Sequence, residues 1–198
     1  MDGGSGRTRC GGAGGSSRCW SAGAWWSDDK PGAGAGRCLV RGKLRAELTD
    51  RVEDGLHRCS GPTRDVQGDF GLTVTATLES AAACAAIWFH WADQNGQVLR
   101  VCPAAISLDV DSPEDHGVLG TYRAGPPVEV HKPTVLHVVA RNGAVQLWRD
   151  GVYAGSVPLP DTLPNTGRIL IGVSEKSGDA PPPYAVTFAD LEIRTLGG

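Results

Sequence analysis

The sequence lacks long apolar runs, an excess of positive charge and any convincing helical periodicity. Without about 20 consecutive apolar residues, a segment cannot cross a membrane as a helix. The N-terminal residues also lack the apolar core of about 7–15 residues that a signal peptide carries. A formal net charge of −3 gives no electrostatic footprint for nucleic acid. These absences predict a chain with no membrane span and no nucleic-acid partner.

Cysteine spacing excludes the usual zinc motifs and favours disulfides. The sequence holds six cysteines: Cys10, Cys19, Cys38, Cys59, Cys84 and Cys102. None forms a C-x-x-C pair, and an even number of well-spaced cysteines is typical of oxidised proteins. We predict sequential pairing, including Cys38–Cys59 and Cys84–Cys102, because these two pairs flank strand–turn–strand segments. Buried free thiols are the alternative.

The cysteines and the N-terminus point to different compartments. Disulfides favour an extracellular or cell-surface protein, in which case this chain is a fragment or a mis-started reading of a longer secreted one. The missing signal peptide favours a cytoplasmic protein, which stays the alternative.

Residues 1–36 differ in composition from the rest of the chain. They are rich in Gly, Ser and Arg and show no hydrophobic period. Such a segment cannot bury enough apolar surface to offset its ordering entropy. We therefore predict a disordered arm over residues 1–36 and a folded domain over residues 37–198. Docking of Trp20, Trp25 or Trp26 on the domain is the alternative.

From residue 37 onward, hydrophobic residues recur with a period of two. The segment FGLTVTATL at 70–78 is an example, in which the threonines alternate with apolar residues. This pattern predicts a strand with one buried face and one threonine-rich face. Asp93-Gln94-Asn95-Gly96, Asn142-Gly143 and Asp150-Gly151 are hairpin signals between further strands. Many short strands separated by turns predict an all-β fold, a two-sheet antiparallel β-sandwich or jelly roll.

The order of these strands resembles the concanavalin A-like lectin/glucanase superfamily. The resemblance covers roughly residues 38–196 and rests on FGLTVTATL, AAIWFHW, VLHVVARNGAVQLWRDGVYAGSV, GRILIGV and YAVTFADLEI. Within this superfamily, the sequence is most similar to the laminin-G-like and 3-keto-disaccharide-hydrolase-like branches. The segment CAAIWFHW…VLRVC also resembles Cys-bearing extracytoplasmic modules of actinobacterial proteins, including receptor kinases. The superfamily contains enzymes, lectins and interaction modules, so the resemblance implies a fold and leaves activity open.

The acidic stretch ISLDVDSPED at 106–115 bears on catalysis. Glucanases of the superfamily carry Glu-x-Asp-x-x-Glu on one strand, and the matching window here places Asp109 and Glu114 at its ends. Asp109 is one methylene shorter than the family's nucleophile, and Pro113 removes a ladder donor from the motif. We therefore predict no retaining glucanase activity and name no catalytic residue.

The same stretch has two other interpretations. Calcium prefers carboxylate ligands, laminin-G-like relatives often hold it at a rim loop, and Asp109, Asp111 and Glu114 are the candidate ligands. A solvated turn is the other interpretation, and it is the one that the spacing favours.

A sugar site combines an aromatic platform with polar groups that bind hydroxyls. If Ile87, Phe89 and Trp91 face the core, then Trp88 and His90 face outward beside the threonines. The predicted ligand-binding set is Trp88, His90, Arg100, Tyr122, Arg123 and Trp148. Filling a second layer of the sandwich is the alternative role for Trp88 and Trp148.

The sequence thus favours a non-catalytic binding or sensory module for carbohydrate or another cell-envelope ligand, within a larger receptor or kinase-associated protein. A glycoside hydrolase-like enzyme and a purely structural ectodomain are the alternatives.

Overall fold

The structure, a computed structural model, describes residues 18–19, 27–28, 36–52, 55–61, 66–123, 125–176 and 181–196. These residues form sixteen strands. Their bounds are β1 Arg18–Cys19, β2 Ser27–Asp28, β3 Gly36–Arg41, β4 Lys43–Leu48, β5 Leu56–Ser60, β6 Val66–Gln67, β7 Phe70–Leu78, β8 Ala83–Ala92, β9 Asn95–Val101, β10 Ile106–Asp111, β11 Val118–Tyr122, β12 Pro133–Arg141, β13 Ala144–Arg149, β14 Val152–Pro158, β15 Thr166–Glu175 and β16 Tyr184–Thr195. No helix in the part of the chain that the structure describes is long and apolar enough to cross a membrane.

The strands form two antiparallel sheets that pack face to face. Sheet A has the order β14-β13-β12-β7-β16-β4-β3, with β1 also paired to β16. Sheet B has the order β11-β10-β9-β8-β15-β5-β2, with β6 also paired to β15. This arrangement confirms the predicted all-β sandwich.

The core lies between the sheets and follows the predicted alternation. The five apolar residues of β7, from Phe70 to Leu78, are at most 3 % exposed, whereas Thr73, Thr75 and Thr77 are half-buried on the opposite face. Phe70 meets Phe89 of the facing sheet at a ring-centroid distance of 5.7 Å. Burying one face of each sheet against the other is the main source of stability in such a fold.

Two-residue turns connect the hairpins. Asn142-Gly143 and Asp150-Gly151 take positive φ at both positions, as predicted, and such turns match the twist of the flanking strands. The β8–β9 turn is Asp93-Gln94, two residues before the predicted Asn-Gly signal. Gly96 instead lies in β9, where a Cβ atom would stand 3.1 Å from the Phe89 carbonyl oxygen.

Two short segments of the predicted arm pair with the sandwich. Residues 18–19 form ladder pairs with Glu192 and Ile193, and residues 27–28 pair with Cys59 and Ser60. Cys10, Trp20, Trp25 and Trp26 lie outside the described residues, so the Cys10–Cys19 pairing and the docking of the three tryptophans stay predictions. The domain boundary at residue 37 also stays a prediction.

Both disulfides predicted within the domain are present. Cys84–Cys102 joins β8 to the end of β9 within sheet B, at a Cα–Cα distance of 4.3 Å. Cys38–Cys59 joins β3 to β5 at a Cα–Cα distance of 5.8 Å. The Cys38–Cys59 bond therefore links sheet A to sheet B. The spacing of the two cysteines had predicted that the bond would close a hairpin, and this part of the prediction is wrong.

Replacing Cys38 and Cys59 together with Ala should lower the free energy of unfolding by about 3 kcal/mol, because the bond closes a loop with a sequence separation of 21 and thereby restricts the unfolded chain. Urea denaturation of the double variant and the wild type measures the difference. The Cys84→Ala/Cys102→Ala pair, which opens a loop of similar length within one sheet, is the matched comparison. Recovery of Cys38 and Cys59 as free thiols by non-reducing peptide mapping would contradict the assignment.

Candidate functional site

The outer face of sheet A carries a row of rings that crosses three neighbouring strands. The register pairs Tyr153 of β14 with Trp148 of β13, and Trp148 with His137 of β12. The Trp148 and Tyr153 ring centroids are 5.2 Å apart, and those of His137 and Trp148 are 5.4 Å apart. We name these three residues the aromatic row. Its rings contact because opposite residues of paired strands stand about 4.5–5.5 Å apart.

The aromatic row is open to solvent. Tyr153 is 52 % exposed, His137 is exposed and Trp148 is half-buried. The neighbouring rings are tilted by 51° and 55°, so they are not stacked face to face. The row therefore offers aromatic surface to a ligand from the solvent side.

Polar side chains extend the aromatic row toward the middle of sheet A. Thr73 pairs with His137 in the β7–β12 register, and its Oγ1 lies 2.9 Å from Nδ1 of His137. The Thr75 hydroxyl donates to Asp190 Oδ2 at 3.4 Å, and Glu192 follows Thr73 in the same transverse register. Hydroxyl and carboxylate groups thus lie beside the rings on one face.

The other half of this face is covered by ion pairs. Glu47 accepts from Arg37 at 2.7 Å and from Arg45 at 2.6 Å, and Arg45 reaches Glu79 at 2.8 Å. These charges are paired with one another, so the aromatic row is the better ligand surface of the two halves.

Trp88 lies on the outer face of sheet B, as predicted, but it is fully buried. The Arg58 guanidinium lies over the Trp88 ring at 5.1 Å and over the Trp91 ring at 4.4 Å. Arg58 Nη2 also contacts Asp111 Oδ2 at 2.6 Å, and Trp88 Nε1 donates to the same oxygen. The cation–π contact occupies the face that a sugar would need. The prediction of Trp88 as a stacking platform is therefore corrected, and the second-layer alternative is the one observed.

Arg100 lies on the same outer face and pairs with Asp109. Its Nε stands 3.1 Å from Asp109 Oδ2, and the Ser107 hydroxyl donates to that oxygen at 3.2 Å. Burial raises the pKa of Asp109, and the opposite effects of Arg100 and Ser107 do not offset it. Arg100, Ser107 and Asp109 line an open cleft of about 540 Å³, together with Val52 and Lys176. Arg100 is thus held by a carboxylate and lies far from the aromatic row.

The acidic stretch is divided between a strand and a turn. Residues up to Asp111 belong to β10, which places Asp109 and Asp111 on one face, and a turn begins at Ser112. Glu114 is exposed on that turn. One group of three potential metal ligands is found among the described residues, with ligand atoms within 4.8 Å of one another: Cys38, His57 and Cys59. Its two cysteines form a disulfide with each other. Calcium binding by Asp109, Asp111 and Glu114 stays a prediction, and the guanidinium partners of both aspartates weigh against it.

A bulge exchanges the predicted directions of His90 and Trp91. The β8–β9 register shifts between Phe89 and Ala92, and His90 takes φ 51°. Trp91 therefore packs with Trp88 on the outer face, whereas the His90 ring meets Phe70 edge to face at a centroid distance of 5.5 Å. The predicted position of Trp91 in the core and of His90 on the surface is wrong, because an extra residue reverses the alternation.

Tyr122 and Arg123 also differ from the predicted set. Tyr122 is 6 % exposed, packs in the core and donates from its hydroxyl to the Val145 carbonyl at 2.9 Å. Burial raises its pKa. Arg123 is exposed, and its backbone N–H donates to the Ala154 carbonyl, next to Tyr153. Of the six predicted ligand residues, Trp148 lies in the aromatic row and Arg123 lies at the same edge, whereas the other four lie elsewhere.

His137 and Tyr153 are the functional candidates that the sequence analysis missed. Both could have been found by counting outward from the two-residue turns. Asn142-Gly143 sets Arg141 opposite Ala144 and hence His137 opposite Trp148, and Asp150-Gly151 sets Trp148 opposite Tyr153.

The two antiparallel sheets and their strand order form a β-sandwich with a concanavalin A-like fold. No protein-family model matches the sequence, and no curated protein matches it.

Solved structures share the fold at low sequence identity. They include the carbohydrate-binding module CBM66 from Bacillus subtilis (14 % identity, TM-score 0.64, covering 85 % of this chain and 94 % of that one). A protein of unknown function with a galectin-like fold, also from Bacillus subtilis, matches at 12 % identity and TM-score 0.61 (86 % and 89 %). The alginate lyase AlgAT5 from polysaccharide lyase family 7 matches at 11 % identity and TM-score 0.56 (85 % and 93 %). At these identities, the likeness establishes the fold alone.

Asp109→Asn should become more stable than the wild type as the pH rises. The folded-state pKa of Asp109 lies above its ordinary value of 3.8, so the wild type loses stability as the pH increases through that folded-state pKa. Asn has no proton to lose. The difference in unfolding free energy between variant and wild type should be smallest near pH 3, below both values, and should grow in favour of the variant up to pH 7.

Urea denaturation between pH 3 and pH 7 measures this difference. Asp93→Asn, at an exposed turn residue, is the control. If the Asp109→Asn variant instead loses stability relative to the wild type as the pH rises, the Arg100 ion pair outweighs burial and the assignment is wrong.

Proposed function

We propose that this domain is a non-catalytic carbohydrate-binding module and that the aromatic row is its platform. The observation that carries the proposal is the alignment of His137, Trp148 and Tyr153 across three strands on a solvent-facing sheet surface. Aromatic rings stack on the apolar face of a sugar ring, and rigid rings lose little entropy on binding.

The polar groups beside the row supply the second requirement of a sugar site. Sugar hydroxyls need both donors and acceptors. Thr73 and Glu192 continue the transverse register of the aromatic row, and Thr75 with Asp190 adds a further hydroxyl and carboxylate on the same strands. A few convergent polar groups around an apolar surface are the usual composition of a ligand site.

The fold supports this ligand class. A carbohydrate-binding module and a protein of unknown function with a galectin-like fold are among the solved structures with this architecture, although fold alone does not transfer function. Two disulfides favour an oxidising compartment, and we propose an extracellular or cell-surface location with a cell-envelope glycan as ligand. The laminin-G-like branch, an actinobacterial source and a place within a larger receptor or kinase-associated protein stay predictions.

The glycosidase alternative rests on Asp109 and Asp111, which share one face of β10. Paired carboxylates with different environments are the pattern of acid–base catalysis. Asp111, however, is 1 % exposed, and its oxygens contact Arg58, Trp88 and His116. A nucleophile must reach the anomeric carbon, so the burial of Asp111 argues against hydrolysis by this pair.

Trp148→Ala and Tyr153→Ser should each weaken binding of the best glycan from an array at least about tenfold, a loss of about 1.4 kcal/mol, because each removes part of the stacking surface. Calorimetric titration measures the affinity, and the array is run with and without EDTA to test calcium. Val152→Ala is the matched control, since Val152 is 70 % exposed next to Tyr153. Unchanged affinity in the Trp148 variant would exclude the aromatic row, and an array without any ligand would favour the structural ectodomain.

The purified domain should not hydrolyse β-1,3 or mixed-linkage glucans. Asp111 is buried beneath Arg58 and Trp88, and Glu114 lies on an exposed turn. Reducing-end release is measured for the wild type, Asp109→Asn and Glu114→Gln. Turnover by the wild type that disappears in either variant would establish the glycosidase alternative.

A further inference from the structure

Three side chains with metal-ligating atoms converge at one edge of the sandwich, where β3 of sheet A meets β5 of sheet B. Cys38 on β3, and His57 and Cys59 on β5, hold their ligand atoms within 4.8 Å of one another. His57 and Cys59 are two positions apart on one strand, so their side chains point to the same side of β5. The fold thus assembles a Cys₂His set from segments whose spacing matches no zinc motif.

The His57 ring occupies the space that a side chain at residue 36 would need. A Cβ atom at Gly36 would stand 2.1 Å from Nδ1 of His57, which is closer than a real Cβ contact allows. Gly36 and Cys38 are two positions apart on β3, so the bare backbone at Gly36 lets the ring reach Cys38. As a result, Nε2 of His57 lies 3.4 Å from Sγ of Cys38.

This distance fits one edge of a zinc tetrahedron. Zinc holds a thiolate sulfur at about 2.3 Å and an imidazole nitrogen at about 2.0–2.1 Å, which places neighbouring nitrogen and sulfur ligands about 3.5 Å apart. By the same bond lengths, two thiolates on one zinc ion stand about 3.8 Å apart. β3 is an edge strand that pairs only with β4 on its sheet path, so it can move by the small distance that this separation requires.

We propose that the reduced form of this domain binds one Zn²⁺ ion through Cys38, His57 and Cys59. The ion then replaces the disulfide as the link between β3 and β5. Two thiolates balance its charge, so no net charge is placed beside the core, and three protein ligands leave a fourth position for water. Cys38 is half-buried and gives the ion a path from solvent. This proposal goes beyond the carbohydrate function and does not depend on it.

The disulfide and the metal site are mutually exclusive uses of the same two cysteines. A dithiol supplies the two electrons. Its thiolate attacks Sγ of the half-buried Cys38, and Cys59, which is 0 % exposed, leaves as a thiolate. The second thiol of the reductant then releases Cys38 from the mixed disulfide, and the reductant becomes a disulfide itself. Zn²⁺ binding displaces the two thiol protons to solvent, so the redox state of the compartment selects the link.

The test titrates the full chain with Co²⁺, a spectroscopic substitute for Zn²⁺, before and after reduction by a phosphine that is then removed under nitrogen. The reduced protein should bind one Co²⁺ per chain and show the sulfur-to-cobalt charge-transfer absorption of a tetrahedral thiolate site, and Zn²⁺ should abolish this band. The oxidised protein should show no band. A reduced wild type without the band would exclude the site.

Cysteine variants establish which thiols hold the ion. Cys38→Ala/Cys59→Ala should lose the charge-transfer band, because both sulfur ligands are removed. Cys84→Ala/Cys102→Ala, which removes the other disulfide within the domain, should keep the band and is the matched control. A band that persists in the Cys38→Ala/Cys59→Ala variant would overturn the proposal.

Two further variants test whether the site belongs to the folded domain. His57→Ala should weaken Co²⁺ binding at least about tenfold, and His131→Asn, at an exposed histidine, is its control. Gly36→Ala leaves both thiols in place but displaces the His57 ring, so it should also weaken binding at least about tenfold. Gly71→Ala is the matched control, because a Cβ atom there would stand 4.0 Å from Leu196.

The Gly36→Ala variant remains informative if reduction unfolds the chain. An unfolded chain also offers thiols to Co²⁺, but its affinity does not depend on a methyl group at residue 36. Equal Co²⁺ affinity in Gly36→Ala and the wild type, or in His57→Ala and the wild type, would therefore exclude the native Cys₂His site.

Discussion

The pairing register of β12, β13 and β14 depends on two turns of two residues each. Asn142, Gly143, Asp150 and Gly151 take φ values of 52°, 69°, 51° and 79°, which let the hairpins twist with their strands. A slip of one residue would move a whole strand's side chains to the other face. These turns therefore keep Leu147 in the core and Trp148 outside, and the core alternation of β12 and β7 holds the same register from within.

The two outer faces of the sandwich differ in how their aromatic residues are used. On sheet B, Trp88 and Trp91 lie under the Arg58 guanidinium, and Asp111 closes the cluster. A buried ion pair adds little net stability, but removing one partner is costly, so such a cluster holds its geometry. On sheet A, the three rings contact one another along the row, and His137 also contacts Thr73. Solvent-exposed aromatic surface thus lies on sheet A, whereas the tryptophans of sheet B are covered.

Short-range patterns predicted the features that are determined locally. The alternation of β7, the turns at Asn142-Gly143 and Asp150-Gly151, and the Cys84–Cys102 disulfide followed from spacing. The Cys38–Cys59 pair was also predicted, but from a hairpin that the structure replaces with a link between the two sheets. The remainder depends on contacts between distant segments. Arg58 meets Asp111 from 53 positions away, and the burial of Tyr122 depends on β13. The exchanged directions of the His90 and Trp91 side chains have a weak local signal in Gly96. They also depend on β15, because its backbone can lie against that of His90 only where Gly167 has no side chain.

The Cys38–Cys59 bond has a mechanical consequence. β3 is an edge strand of sheet A, paired only with β4 on its sheet path, and it begins at Gly36. A tensile load on the chain ahead of Gly36 would peel β3 from β4 one ladder pair at a time. The peeling front reaches Cys38 at the third residue of the strand, where the covalent link passes the load to β5 and so to sheet B. Further extension then requires β5 to detach from β15 as well, so the bond spreads the load over both sheets.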